Sequence, residues 1–344
     1  MVFMKRVLLF VLLIISLGTS CSFAQSGAFG HYHKAEALKE KVKKNDVEAM
    51  NQLGLLYLSE LFDKEESAVE LFEKASARGH QYATYNLGYC YFAAKGVEQN
   101  YQKAFSLFLR VAETVKEAPV RIGVCYLFGY GIKKNNQEAI KWFEKGLTNG
   151  DNAANFYLAY VYGKGEGVVK DERKALQLYL PFAQKGISFA QYQMAQIYYN
   201  GETVPKDCNK ALTWFEKVAD KYYDAWVIMG EIYEKGDGIS KNLTKAKECY
   251  QQASDYGIPL GEYRLGAILY DEKKYDEAFS LLTQAAEDKK NPVPEAMRKL
   301  AACYRYGLGT PQNLEKEQYW MNEAAKNKDY KAIDILNEKI TIDL

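Results

Sequence analysis

The side chains most able to do chemistry are few in this chain, and their spacing is unfavourable for it. There are three histidines, His31, His33 and His80. His31 and His33 flank Tyr32 near the amino end. Together they would hold a metal weakly, and a solvated tail is the simpler reading. His80 stands in a turn where a related stretch has Asp151, which argues for a turn residue rather than a catalyst. The stretch "GKGEG", Gly163 to Gly167, looks like a phosphate cradle. It lacks the preceding strand and the Gly-Lys-Ser/Thr that let such a loop wrap a phosphate and its metal. Related glycine loops recur at 129–131, 236–238 and 307–309, so a helix connection is the expected role. No HExxH, GxSxG or CxxC spacing occurs. The reading is therefore of no catalytic residues, no metal and no cofactor.

Six cysteines are present: Cys21, Cys90, Cys125, Cys208, Cys249 and Cys303. The first belongs to an amino-terminal segment with the marks of export. Lys5 and Arg6 precede an apolar run from Val7 to Leu17, too short to span a bilayer. Ser22-Phe23-Ala24 before Gln25 suits cleavage after Ala24. The rival is Leu17-Gly18-Thr19-Ser20-Cys21, which resembles a lipobox shifted by one residue and would make Cys21 a lipid anchor. Cleavage after Ala24 leaves an odd number of cysteines, so at least one stays unpaired in a monomer. Buried free thiols are expected. Loss of residues 1–24 removes two cations and no acid, moving the formal charge from +1 to −1. That balance gives no reason to expect nucleic acid. No second long apolar run points to membrane insertion.

What remains to be explained is the frame that carries these residues. A small residue opens each apolar segment: Ala49, Ala83, Ala118, Ala154, Ala190, Ala225, Gly261, Ala296 and Ala332, at steps of 34 to 36 residues. So steady a period marks a solenoid. Four places on comes Leu, Ile or Met, and next a Gly or Ala such as Gly54, Gly88, Gly123 and Ala159. Place eight is Tyr in seven of eight repeats: Tyr57, Tyr91, Tyr126, Tyr162, Tyr198, Tyr233 and Tyr304. These places share one helical stripe. The repeated glycine costs up to about 1 kcal/mol of helix propensity, which a close helix–helix approach would offset. A second helix opens at Ala68, Ala104, Ala139, Ala175, Ala211, Ala246, Ala278 and Glu317, each followed four residues later by a large apolar side chain. Its third place holds Trp142, Trp214 and Trp320 where other repeats have Leu, a packing place. Pro181 falls inside one such helix and should kink or break it. Asn242-Leu243-Thr244 forms a glycosylation sequon.

The chain is therefore expected to be all-α: an α/α solenoid of about eight helix-turn-helix repeats of roughly 35 residues. Its expected parts are a signal peptide at 1–24, a tail and capping helix at 25–48, the repeats at 49–325, and a capping helix and tail at 326–344. In the seventh repeat the two helix openings lie 17 residues apart instead of 21, so a change of superhelical pitch is expected there.

"LGxxY", a glycine loop and "KAxxWFEKA" recur in register, most fully in "AYVYGKGEGVVKDERKALQLY" and "AQIYYNGETVPKDCNKALTWFEKVA". This grammar resembles the Sel-one-like repeat family, relatives of the tetratricopeptide repeats, over about Ala49 to Ala325. Some secreted relatives staple each repeat with a disulfide or have been associated with β-lactam binding. Cys90, Cys125 and Cys303 share one place without a regular partner place, so neither property carries over. The architecture, together with the lack of catalytic residues, points to a non-enzymatic, monomeric scaffold for a protein or peptide. It would be periplasmic or secreted in a Gram-negative bacterium, or anchored to the outer membrane through Cys21. The alternative is an envelope hydrolase or peptidoglycan/β-lactam binder with carboxylates converging from several repeats. If the repeats pack like tetratricopeptide repeats, places 2, 6 and 9 of the first helices line the binding face. Those places hold Tyr85, Tyr89, Phe92, Phe156, Tyr160, Tyr192 and Tyr199, with charges further on at Glu231, Glu234, Arg298 and Arg305. Tight packing would instead make these rings core.

Overall fold

The computed structural model describes residues 28–342, apart from Glu60 and Asp63. Cys21 and the cleavage site after Ala24 lie outside the described residues. Every regular element among the described residues is a helix. The helices fall into two compact bodies. One holds the chain up to Ala190 together with Glu202–Val204, and the other holds Gln191–Gly201 and the chain from Pro205 on.

The first body begins with Ala28–Lys43 and continues in helix pairs. Repeat 1 is Val47–Tyr57 with Glu65–Ala77, and repeat 2 is Gln81–Ala93 with Tyr101–Arg110. Repeat 3 is Ala118–Phe128 with Asn136–Thr148, and repeat 4 is Ala153–Lys164 with Glu172–Gln184. Repeat 5 is Ser188–Asn200 with Cys208–Phe215, and the boundary between the bodies falls in its first helix. The second body continues with Asp224–Lys235 and Leu243–Asp255, then Pro259–Asp271 and Tyr275–Glu287. Repeat 8 is Pro294–Tyr306 with Leu314–Lys326, and Tyr330–Ile342 ends the array. Cys90, Cys125, Cys208, Cys249 and Cys303 are all free and buried, as expected.

The glycine at place five has a direct explanation. A Cβ on Gly123 would meet the Phe143 ring at 2.5 Å, and one on Gly54 would meet Phe72 at 2.6 Å. Gly230 stands in the same relation to Tyr250, at 2.4 Å. The large side chain of the second helix thus occupies the space that a side chain at place five would need, and Phe72, Phe143 and Tyr250 are 0 % exposed. Close packing of this kind repays the helix propensity lost to glycine.

In repeats 2 to 6 and 8 the connecting loop is held by the same backbone contact, and in five of these by the same side-chain contact as well. The N-cap residue of the second helix donates its backbone N–H to the place-eight tyrosine carbonyl: Asn100 to Tyr91, Asn135 to Tyr126, Asp171 to Tyr162 and Asn313 to Tyr304, all at 2.9 Å. The cap's side chain then accepts the N–H of a lysine three residues on: Lys103, Lys174, Lys210, Lys245 or Lys316. The same lysine lays its ammonium over the tyrosine ring, 4.0 Å from the Tyr91 centroid and 3.8 Å from that of Tyr162. One tyrosine therefore closes the loop by its carbonyl and packs the helix start by its ring. Asn242, the sequon asparagine, is one of these caps.

In repeats 2, 3, 4 and 8 a loop glycine lands on the preceding repeat. A Cβ on Gly96 would lie 2.3 Å from the backbone of Glu65, and one on Gly131 would lie 2.3 Å from that of Tyr101. Gly309 approaches Tyr275 equally closely. Repeat 5 has Thr203 in this role, and there the buried Glu172 accepts from the N–H groups of Thr203 at 2.7 Å and Val204 at 3.3 Å. The seventh repeat has no such loop. Its helices are joined by residues 272–274 alone, and the first residue of the preceding second helix, Leu243, stays 41 % exposed.

Pro181 does not break its helix. The helix Glu172–Gln184 runs through it without a break. Pro181 lies in the last turn, where only one helical hydrogen bond is forfeited, and its own carbonyl still accepts from Lys185.

Candidate partner-binding face

The face proposed from the sequence is built by places 2, 6 and 9 of the first helices. In the first body these helices stack so that place 2 turns inward. Phe156 is 0 % exposed and packs on Phe182, Tyr179 and Phe189, with centroids 5.3 to 5.8 Å apart. Phe92 is equally enclosed, edge-on to Tyr101 and Tyr130. Both phenylalanines are core side chains, which corrects their placement on an exposed stripe. The reason is geometric: the second helix of the same repeat and the next loop close over places 2 and 9 in these repeats. Tyr85 is buried with its hydroxyl accepting from Arg121 Nε at 2.9 Å. Tyr160 is buried beside Phe128, its hydroxyl 3.4 Å from Glu166. Tyr89 remains half-buried.

In the second body, Tyr192 is buried, stacks on Tyr222 at 4.4 Å and donates to Asp224. Tyr199 is half-buried and donates to Glu231 at 3.2 Å. Burial, then the neighbouring Glu231, pushes the Tyr199 hydroxyl up to about 12. Burial, then Glu166, does the same for Tyr160. These phenols are therefore neutral hydrogen-bonding groups at ordinary pH. The stripe brings together rings, hydroxyls and the carboxylates to which those hydroxyls donate.

The charges further along are paired inside the chain. Glu231 accepts from Arg264 Nη2 at 2.7 Å on one oxygen, and from Tyr199 and Lys235 on the other. Glu234 accepts from the Tyr250 hydroxyl at 2.6 Å. Arg298 meets Asp329 at 2.8 Å and Arg305 meets Glu317 at 3.5 Å. Sequence reasoning found Glu231 and Arg298 but missed Arg121 and Arg264, the place-three arginines that link neighbouring repeats. The signal available was a cation recurring at one place of an otherwise polar or aromatic position.

His80 is a helix cap: its Nδ1 accepts the Ala83 N–H at 3.1 Å and its Nε2 bonds to Glu48 at 2.8 Å. In this tautomer Nε2 carries the proton. "GKGEG" is a helix connection in which Gly165 is the left-handed cap of the first helix. Among the described residues no group of three His, Cys, Asp or Glu side chains could hold a metal. No described helix is long and apolar enough to cross a membrane.

The sequence pattern of the Sel1 repeat matches eight times, at 47–80, 81–113, 117–151, 152–187, 188–223, 227–257, 259–289 and 294–329. Among solved structures, a protective antigen of uropathogenic Escherichia coli with an SLR fold is similar, with TM-score 0.73 and 25% identity over 87% of this chain and 65% of that one. A Sel1 repeat protein of Oxalobacter formigenes shares the fold, with TM-score 0.63 and 21% identity, covering 91% of this chain and 93% of that one. Among curated proteins, the chitin synthase regulator SKT5 of Saccharomyces cerevisiae is 30% identical over 119 residues, 33% of this chain and 17% of its own length. Chitin synthase regulatory factor 3 of Schizosaccharomyces pombe is 28% identical over 121 residues, 33% of this chain and 13% of its own. The match thus spans less than a fifth of either fungal relative. The uninterrupted run of matched repeats carries the assignment: the chain belongs to the Sel1 repeat family.

Proposed function

We propose that this chain is a non-enzymatic scaffold that holds a protein or peptide on the face of its first helices, and that it works after export to the periplasm or beyond. The observation that carries this is a division of labour among the places of the repeat. Places four, five and eight repeat the same residue types and do the packing. Among the side chains that stay partly exposed, place three changes from Asn86 to Ile228, Arg264 and Lys299. Place six changes from Leu55 to Tyr89, Gln196 and Glu231. A constant frame with varied side chains on one side is what recognition of a partner requires, whereas a frame alone does not specify function.

The two fungal relatives are named as regulators of another enzyme, which fits a scaffold. The Escherichia coli neighbour is described as a protective antigen, which fits an exported chain. The test is affinity capture from an envelope extract with the mature protein as bait, read by mass spectrometry. A discrete partner, lost when Tyr89 and Tyr199 are replaced by Ser, is the expected result. No partner, together with turnover of peptidoglycan or a β-lactam by the purified protein, overturns the reading. Mass spectrometry of the mature amino end separates a chain starting at Gln25 from one acylated at Cys21.

A further inference from the structure

The first body contains a buried cation without an acid. Arg121, at place three of repeat 3, is 4 % exposed. Its Nε is taken by the Tyr85 hydroxyl, and the Tyr89 ring lies 5.6 Å from its guanidinium carbon. Among the described residues no carboxylate forms an ion pair with it, and its two Nη groups donate no hydrogen bond. No nearby acid among the described residues comes within ion-pair distance of it, although Glu117, four residues before it, buries its Oε2 without a hydrogen-bond partner. Asp151 accepts the Ala153 N–H at 2.9 Å, and Glu117 lies 3.8 Å from Lys116. A guanidinium is a planar fork of five donors, and burying it with most of them idle is costly.

A second arginine of the same chain shows what is missing. Arg264 occupies place three of repeat 7 and donates through Nη2 to Glu231, at place six of the preceding repeat. For Arg121 the equivalent place six is Tyr89. The array therefore repeats the arginine and omits its acid, leaving the two Nη groups for an outside partner. The fork matches a carboxylate in two parallel hydrogen bonds.

We propose that Arg121 anchors a carboxylate of a bound peptide, either an acidic side chain or a free carboxyl terminus, between Tyr85 and Tyr89. The proposal rests on the peptide-binding reading for the source of the carboxylate, though not for the site itself. The test follows the Arg121 Nε–H resonance of ¹⁵N-labelled protein, assigned by its loss in Arg121→Lys. The probes are acetate, an acetylated and amidated Ala-Ala-Asp-Ala-Ala, an acetylated penta-alanine with a free carboxyl terminus, and the doubly blocked penta-alanine. A saturable shift is expected with acetate and, at lower concentration, with one carboxylate peptide. None is expected with the blocked peptide or with sodium chloride at equal ionic strength. Tyr89→Glu supplies the missing acid from within. It should stay folded and weaken acetate binding at least about tenfold by occupying the fork. Acetate that acts no differently from chloride, or that binds Tyr89→Glu as it binds the parent, overturns the site. Saturation by acetate with neither carboxylate peptide binding more tightly overturns the peptide assignment alone.

Discussion

Glu172 shows how much one side chain can carry when the next repeat has Thr203 where other loops have glycine. It is 1 % exposed, accepts from Thr203 and Val204, and pairs with Lys170 at 3.0 Å. Burial alone would raise its proton affinity. The hydrogen bonds from Thr203 and Lys170 outweigh burial and hold the carboxyl below the ordinary glutamate range. A group depressed in the folded state contributes its stability above its unfolded value, and loses it as pH falls through the folded one. Glu172→Gln should therefore cost about 1–3 kcal/mol near neutral pH. The gap from the parent should narrow as pH falls below about 4. Urea unfolding at both pH values checks this, and an equal gap at both would refute it. The buried thiols make a second residue-scale test. Burial pushes Cys90 and Cys125 up to about 12. The native protein should react slowly with a thiol reagent, and Cys90, Cys125, Cys208, Cys249 and Cys303 should all titrate once it is unfolded. At most one free thiol in the unfolded protein would contradict the free state of these cysteines.

Within a helix pair the decisive contact is between place five and the large side chain opposite. Gly123→Ala gains up to about 1 kcal/mol of helix propensity, but its methyl would lie 2.5 Å from the Phe143 ring. Overpacking of this order costs roughly 1–3 kcal/mol, so a net loss is expected. Phe143→Leu should relieve it, as Leu282 does opposite Gly266, where the clearance is 3.2 Å. A double-mutant cycle of melting measurements would show additive effects if the two places were independent. This pairing was legible before any coordinates, because a helix-weakening glycine that recurs in register needs a close neighbour to justify it. The tyrosine–lysine clip was half legible: Tyr91 and Lys103 are visibly periodic, but the carbonyl contact that makes the tyrosine place matter is a backbone hydrogen bond. The candidate face was least legible. Periodicity shows that Tyr85, Phe92 and Phe156 share a stripe, but whether a stripe is covered depends on the angle between neighbouring helices. That angle emerges from the sum of many packing contacts, so no single position encodes it. Arg121 escaped notice for a related reason: its meaning lies in an absent acid at Tyr89, visible only by comparison with Arg264 and Glu231.

At the scale of the array, stability is a sum over neighbours, so an end is worth what it covers. The last helix, Tyr330–Ile342, buries Ala332 and packs Ile335 and Leu336 on the core of repeat 8, which includes Met321 and Ala324. It is fastened by Asp329, whose Oδ1 accepts the Ala332 N–H while Oδ2 holds Arg298, at 2.9 and 2.8 Å. Removing the chain from residue 330 onward should take away the burial of two large apolar side chains, about 3 kcal/mol in all. It should also leave the apolar face of repeat 8 open to water, which invites association. Because repeats contact only their neighbours, the damage should be local. Hydrogen exchange should quicken first in the helices Pro294–Tyr306 and Leu314–Lys326, while Gln81–Ala93 and Ala118–Phe128 keep their protection. The truncated protein should melt lower and elute partly as aggregate. An unchanged melting curve with a clean monomer would mean that repeat 8 needs no cover. Uniform loss of protection along the whole chain would mean that the array unfolds as one cooperative body rather than repeat by repeat.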